Sequence, residues 1–162
     1  MRIINAEQLG FSQEEIKQQL EQLDQGRTYQ AQRLVYYPYI IFEFTIDRRR
    51  FFHPLKGYVG CTIDGVNKIG ALADTFPELA KVEVSDQNII ALDLTFAEAK
   101  KIAEDFLYNS ISARKKVITA PKLNLTKQEL FYRPYWIVEG DVDLPGHFFI
   151  TVDAVSGKFH PL

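Results

Sequence analysis

Leu34-Val35-Tyr36-Tyr37-Pro38-Tyr39-Ile40-Ile41-Phe42-Glu43 returns ninety-six positions later as Leu130-Phe131-Tyr132-Arg133-Pro134-Tyr135-Trp136-Ile137-Val138-Glu139. Leu, Tyr, Pro, Tyr, Ile and Glu stay in register, which is the mark of a duplicated unit. β-Branched and aromatic residues favour a pleated, half-buried surface, so each copy reads as a strand, over about 30 to 46 and 129 to 142. A proline cannot donate a ladder hydrogen bond. Pro38 and Pro134 are therefore expected at a strand start, an edge or a bulge.

Upstream of each strand lies a helix start. In Phe11-Ser12-Gln13-Glu14-Glu15-Ile16 the Ser and the Glu three residues on form a capping box, with Phe11 and Ile16 spaced as a hydrophobic staple. Ile16, Leu20 and Leu23 continue one apolar stripe, and Gly26 is a stop signal. Thr95 and Glu98 repeat the box before a wider apolar face of Phe96, Ala99, Ile102, Ala103, Phe106 and Leu107.

Turns follow the strands. Thr45-Ile46-Asp47, Thr62-Ile63-Asp64 and Thr151-Val152-Asp153 share one pattern, and the latter two run into Gly, Asn or Ser residues suited to hairpin turns. Asp143-Leu144-Pro145-Gly146 marks another turn, residues 121–127 read as a loop, and a short strand is expected near Val82 to Val84. Phe52-His53-Pro54-Leu55 also recurs as Phe159-His160-Pro161-Leu162, which leaves two alignments open downstream of the long strands. The expected architecture is α+β: two units, 1–84 and 85–162, each one helix packed on a three- to four-stranded antiparallel sheet.

The second copy resembles the PepSY-type unit, in which a helix leads to a Tyr-x-Pro-Tyr-aliphatic-aliphatic-x-Glu strand and then a hairpin, here turning at Val152 to Lys158. The resemblance covers residues 94 to 162 well and 11 to 72 more loosely, since Arg48 to Lys56 stand where a short turn belongs. It implies a domain that binds or restrains a partner and performs no chemistry. Relatives of this type are commonly exported or membrane-tethered, whereas this sequence displays neither device.

The 162 residues are 46% hydrophobic, enough to bury roughly 70% of the unfolded surface. A net charge of −2 provides no global field for nucleic acid or an anionic membrane. One cysteine, Cys61, forms no intramolecular disulfide, and no apolar run approaches the length of a membrane span, which sets the cytoplasm as the expected location.

No residue set reads as catalytic, metal-binding or cofactor-binding. His53, His147 and His160 lack a second ligand at metal spacing, and Cys61 has no neighbouring histidine to activate it. Glu43 and Glu139 hold matched strand positions, where a carboxylate pair would need to converge to act together. Arg48, Arg49 and Arg50, beside Phe51 and Phe52, form the sharpest basic feature, read first as a solvated hairpin tip and only then as a phosphate grip. Tyr37, Tyr39, Tyr135 and Trp136 complete the candidate interaction surface, because aromatic groups with a polar tip are enriched at interfaces. The leading expectation is a non-enzymatic module that binds a protein or peptide, by strand addition or through the tyrosine-rich face, with a homodimer as one form. A small-molecule pocket between helix and sheet is the alternative, and a nucleic-acid module using Arg48 to Arg50 the third.

Overall fold

The computed structural model describes residues 1–46, 57–115 and 122–161. Along the chain these form β1 (Arg2–Glu7), α1 (Gln13–Leu23), β2 (Tyr29–Ile46), β3 (Tyr58–Asp64), β4 (Gly70–Ala73), β5 (Leu79–Val84), a 3₁₀ turn (Asp86–Asn88), α2 (Phe96–Lys115), β6 (Leu123–Gly140), β7 (Phe148–Asp153) and β8 (Phe159–Pro161). The class is α+β, as expected. The eight described strands join in one sheet in the order β4-β3-β2-β6-β1-β5, with β7 on β6 and β8 on β7. Pairing is mostly antiparallel, but β1 meets β6 in parallel at Ala6 and Tyr132, so the sheet is mixed.

Both capping boxes form. The Ser12 hydroxyl accepts from the Glu15 amide at 3.2 Å while the Glu15 carboxylate accepts from the Ser12 amide, and Thr95 and Glu98 do the same at the start of α2. α1 ends at Leu23, and Gly26 takes a φ of +99° just beyond it, a conformation that glycine adopts without steric cost.

Two compact units emerge. One comprises Met1–Tyr37, Glu78–Ile90 and Tyr132–Leu162, the other Pro38–Pro77 and Ala91–Phe131. The expected boundary at residue 84 divides the sequence, whereas the compact units interleave across it. In the first unit, Ile16 and Leu20 of α1 pack on Tyr29 and Ala31 of β2, Val138 of β6, and Ile150 and Val152 of β7. In the second, Leu94, Ala99, Ala103 and Leu107 pack on Ile40, Phe42 and Phe44 of β2 and Cys61 and Ile63 of β3. The helix that precedes the first decapeptide thus closes a core with the hairpin that follows the second, and the reverse holds for α2. Burying each of these large side chains contributes about 1.5–3 kcal/mol, so this choice of partner decides the fold.

The helix starts are anchored in the same crossed sense. The amides of Gly10 and Phe11, just before α1, donate to the Ala154 carbonyl at 2.8 and 2.9 Å, and the Asp93 amide, before α2, donates to the Gly65 carbonyl at 2.8 Å. Those two carbonyls belong to corners built alike. Gly65 donates to the Pro38 carbonyl and Ala154 to the Pro134 carbonyl, while Asp64 Oδ1 accepts from the amides of Val66 and Asn67 and Asp153 Oδ1 from those of Val155 and Ser156. Each buried proline immediately precedes the residue that opens its strand's hairpin pairing, Tyr39 opposite Asp64 and Tyr135 opposite Asp153. A ring without an N–H costs nothing where the ladder has not yet begun.

These corners set the downstream alignment. Asp64 corresponds to Asp153, and β4 stands to β3 as β8 stands to β7. Phe159, His160 and Pro161 therefore lie on the third strand of a meander, while Phe52 to Leu55 fall outside the described residues. One sequence expectation is revised and one strand is new. β6 begins at Leu123, where a loop was expected, because Leu123 and Leu125 pack on the α2 core. β1 is an added strand, held by Ile4 and Ala6, both buried.

Candidate binding surface

The aromatic set is spent largely on internal packing. Tyr36 and Tyr132 are buried, and Tyr37, Tyr39, Tyr135 and Trp136 are half-buried. Tyr37 meets Tyr135 edge-on at 6.1 Å, Tyr39 stacks on Phe131 at 5.7 Å, and Trp136 Nε1 donates to the Phe11 carbonyl at 3.0 Å. Pairs of this kind contribute about 0.5–1.5 kcal/mol beyond their burial. Arg48, Arg49, Arg50 and His53 lie outside the described residues.

Arg133 replaces the tyrosine of the first decapeptide with a charge, and the structure supplies its partners. Its Nε and Nη2 lie 2.8 Å from Asp153 Oδ2, and its Nη1 2.8 Å from Glu7 Oε2. Burial disfavours the charge, but the two carboxylates outweigh it and hold the guanidinium protonated. Burial also pushes Asp153 up, yet the Arg133 hydrogen bond and the amides of Val155 and Ser156 prevail and hold its carboxyl below the usual range. The triad ties β1 and the second corner to β6 through Arg133 contacts to Glu7 Oε2 and Asp153 Oδ2. Its chemistry is structural.

The other titratable candidates are similarly engaged. Gln32 Nε2 donates to Glu139 Oε2 at 2.8 Å, and Thr126 Oγ1 lies 3.0 Å from both the carbonyl oxygen and Oε1 of Glu43. Cys61 is fully buried on the α2 side of β3, where desolvation pushes its thiol up to about 11, the reverse of nucleophile activation. The exposed His147 ring sits 3.2 Å from the Leu144 carbonyl. Among the described residues no group of three potential metal ligands converges, and no helix is long and apolar enough to cross a membrane.

An open site lies on the second unit, on the sheet face away from α2. Alternation sends Phe42 and Phe44 of β2 to the helix and Ile41 and Glu43 to the opposite face. Pairing sets Glu43 across from Gly60 and Gly60 across from Ala73. A recess of about 260 Å³ forms there, lined by Ile41, Glu43, Tyr58, Gly60, Ala73, Asp74, Thr75 and Phe76. Gly60 is required at its floor, since a Cβ there would lie 2.6 Å from the Ala73 carbonyl oxygen. Tyr58 is 58% exposed, so its ring is available at the mouth. The Lys127 ammonium sits 5.1 Å from the centroid of Phe76, so this ring already faces a cation. Beside the recess runs β4, an edge strand whose one partner among the described strands is β3.

Of this set the sequence singles out Glu43 alone. Tyr58, Gly60, Asp74 and Phe76 carry no spacing signal, because the β2-β3-β4 meander and the segment after it bring them together. A second, wider groove of about 710 Å³ runs beside the polar flank of α1, where Ser12, Gln13, Glu14, Lys17 and Glu21 face Thr28 to Ala31. It lies outside the core that Ile16 and Leu20 fill. Comparison of the chain with protein-family models, with curated proteins and with solved structures finds no match.

Proposed function

We propose that the chain is a non-catalytic interaction module that binds an extended, basic segment of a partner protein along β4. An added strand would take backbone hydrogen bonds from the β4 edge that no described strand occupies, and a lysine or arginine side chain would enter the recess beside it. The observation that carries this reading is the recess itself. It holds two carboxylates, Glu43 and Asp74, and two aromatic rings next to a strand edge that no other described strand covers. A carboxylate in a half-buried setting and an aromatic face both favour an ammonium or guanidinium over a neutral group.

A PepSY-like origin for both copies belongs to the same proposal. The recurring corner bonds at Asp64 and Asp153 and the recurring capping boxes support it. Catalysis is disfavoured because the groups that would perform it are engaged otherwise: Cys61 is buried as the thiol, and Glu43 and Glu139 each accept a neutral hydrogen bond.

The test is calorimetric titration with a capped peptide, acetyl-Thr-Val-Lys-Val-Thr-amide, and its norleucine counterpart. Binding of the lysine peptide should weaken by about tenfold, or 1.4 kcal/mol, on either the norleucine change or Glu43→Gln. Equal affinity of both peptides for both proteins would remove the recess from the reading.

A further inference from the structure

The other open edge, β5 in the first unit, carries a different pattern. β5 pairs with β1 over its whole length, from Arg2 opposite Val84 to Glu7 opposite Leu79, and is the end strand of the sheet among the described residues. Alternation puts Ala80, Val82 and Val84 on one face with the buried Ile4 and Ala6. Lys81 and Glu83 project from the opposite face, both exposed, and Glu83 lies beside Ile3, which is 68% exposed. An exposed strand edge is a template for pairing, and proteins usually blunt it with a charge. A lone lysine would do so. A glutamate two residues later cancels that protection for one partner: the same strand running the other way.

We propose that β5 pairs with β5 of a second copy of this chain, antiparallel about a twofold axis through Val82. That register sets Lys81 of each copy opposite Glu83 of the other and Ala80 opposite Val84, with like faces together. Directly opposed charges of opposite sign stabilise a strand pair, and like charges destabilise it. Sliding by two residues in either direction brings Lys81 onto Lys81 or Glu83 onto Glu83, and sliding by one inverts every face. The charge pattern therefore selects one register. A twofold contact of this kind is self-complementary and closes at two copies, which leaves no free β5 edge for growth. The proposal rests on residues of β1 and β5 and is independent of the peptide reading at β4.

Sedimentation velocity across a concentration series tests it. The wild-type chain should show a reversible monomer–dimer equilibrium. Lys81→Glu converts two attractive pairs into two repulsive ones and should weaken the dimer by roughly tenfold or more. The double exchange Lys81→Glu/Glu83→Lys restores both pairs with their signs swapped and should dimerise as the wild type does. Both changes fall at exposed positions, and circular dichroism checks that each variant keeps its fold. A wild-type chain that stays monomeric at the highest concentration, or a single variant that dimerises as well as the double, would overturn the proposal.

Discussion

Replacing Arg133 with methionine removes the cation from between two carboxylates while keeping most of the side-chain stem. The Glu7 and Asp153 side chains are only 14% and 13% exposed, and Arg133 itself is 25% exposed. Breaking a buried ion pair by deleting one partner costs about 3–5 kcal/mol, since the remaining charge is left uncompensated. Partial exposure of this triad argues for the lower end, about 3 kcal/mol. For a chain of this size each kcal/mol moves the melting temperature by roughly 2–4 °C, so a drop of about 6–12 °C is expected at neutral pH. The pH dependence follows from Asp153. Its carboxyl is held below its unfolded value, so its contribution is complete above that value and is lost as pH falls through the folded one. Protonation of Asp153 at low pH removes a charge that Arg133 neutralises, and the gap between variant and wild type should narrow there. Thermal unfolding followed by circular dichroism at pH 7 and at low pH measures both. An equal loss at the two pH values would assign Arg133 to packing and refute the electrostatic argument.

Asp64→Ala, which strips two amide caps from the first corner, should cost about 1–3 kcal/mol in urea unfolding, less than Asp153→Ala, which also frees Arg133. Cys61 should not react with an aromatic disulfide reagent at pH 8 in the folded chain and should react at once in denaturant, because its thiol is buried and pushed up to about 11; rapid native labelling would place it at a surface. Gly60→Ala drives a methyl to within 2.6 Å of the Ala73 carbonyl and must displace β4, so it should lower stability by about 1–3 kcal/mol and abolish peptide binding, which calorimetry reads directly.

Local rules carried much of the fold. Ser12 and Thr95 cap their helices as the Ser-x-x-Glu and Thr-x-x-Glu spacings imply, the two decapeptides lie within the two 18-residue strands, and Asp64 and Asp153 close their turns. The exchange of helices between hairpins was not legible. Ile16 and Leu20 present a stripe that either set of strand faces could cover, because both decapeptides offer the same alternation, and periodicity identifies an apolar face but not what it packs on. β1 escaped for a related reason: Ile4 and Ala6 are too few to signal a strand until β5 and β6 flank them. The ring partners of the tyrosines were not legible either: Tyr37 meets Tyr135 and Tyr39 meets Phe131, which leaves all three tyrosines half-buried. Glu43 alone pointed to the recess, and its companions Tyr58 and Phe76 reach it through hairpin geometry that no local motif encodes.

Amide chemical-shift mapping of the ¹⁵N-labelled chain with the lysine peptide tests the binding account most directly. Shifts concentrated on Gly70 to Phe76, Gly60 and Glu43, and lost in Glu43→Gln, are the predicted result. Shifts confined to the α1 groove, or none at saturating peptide, would contradict it.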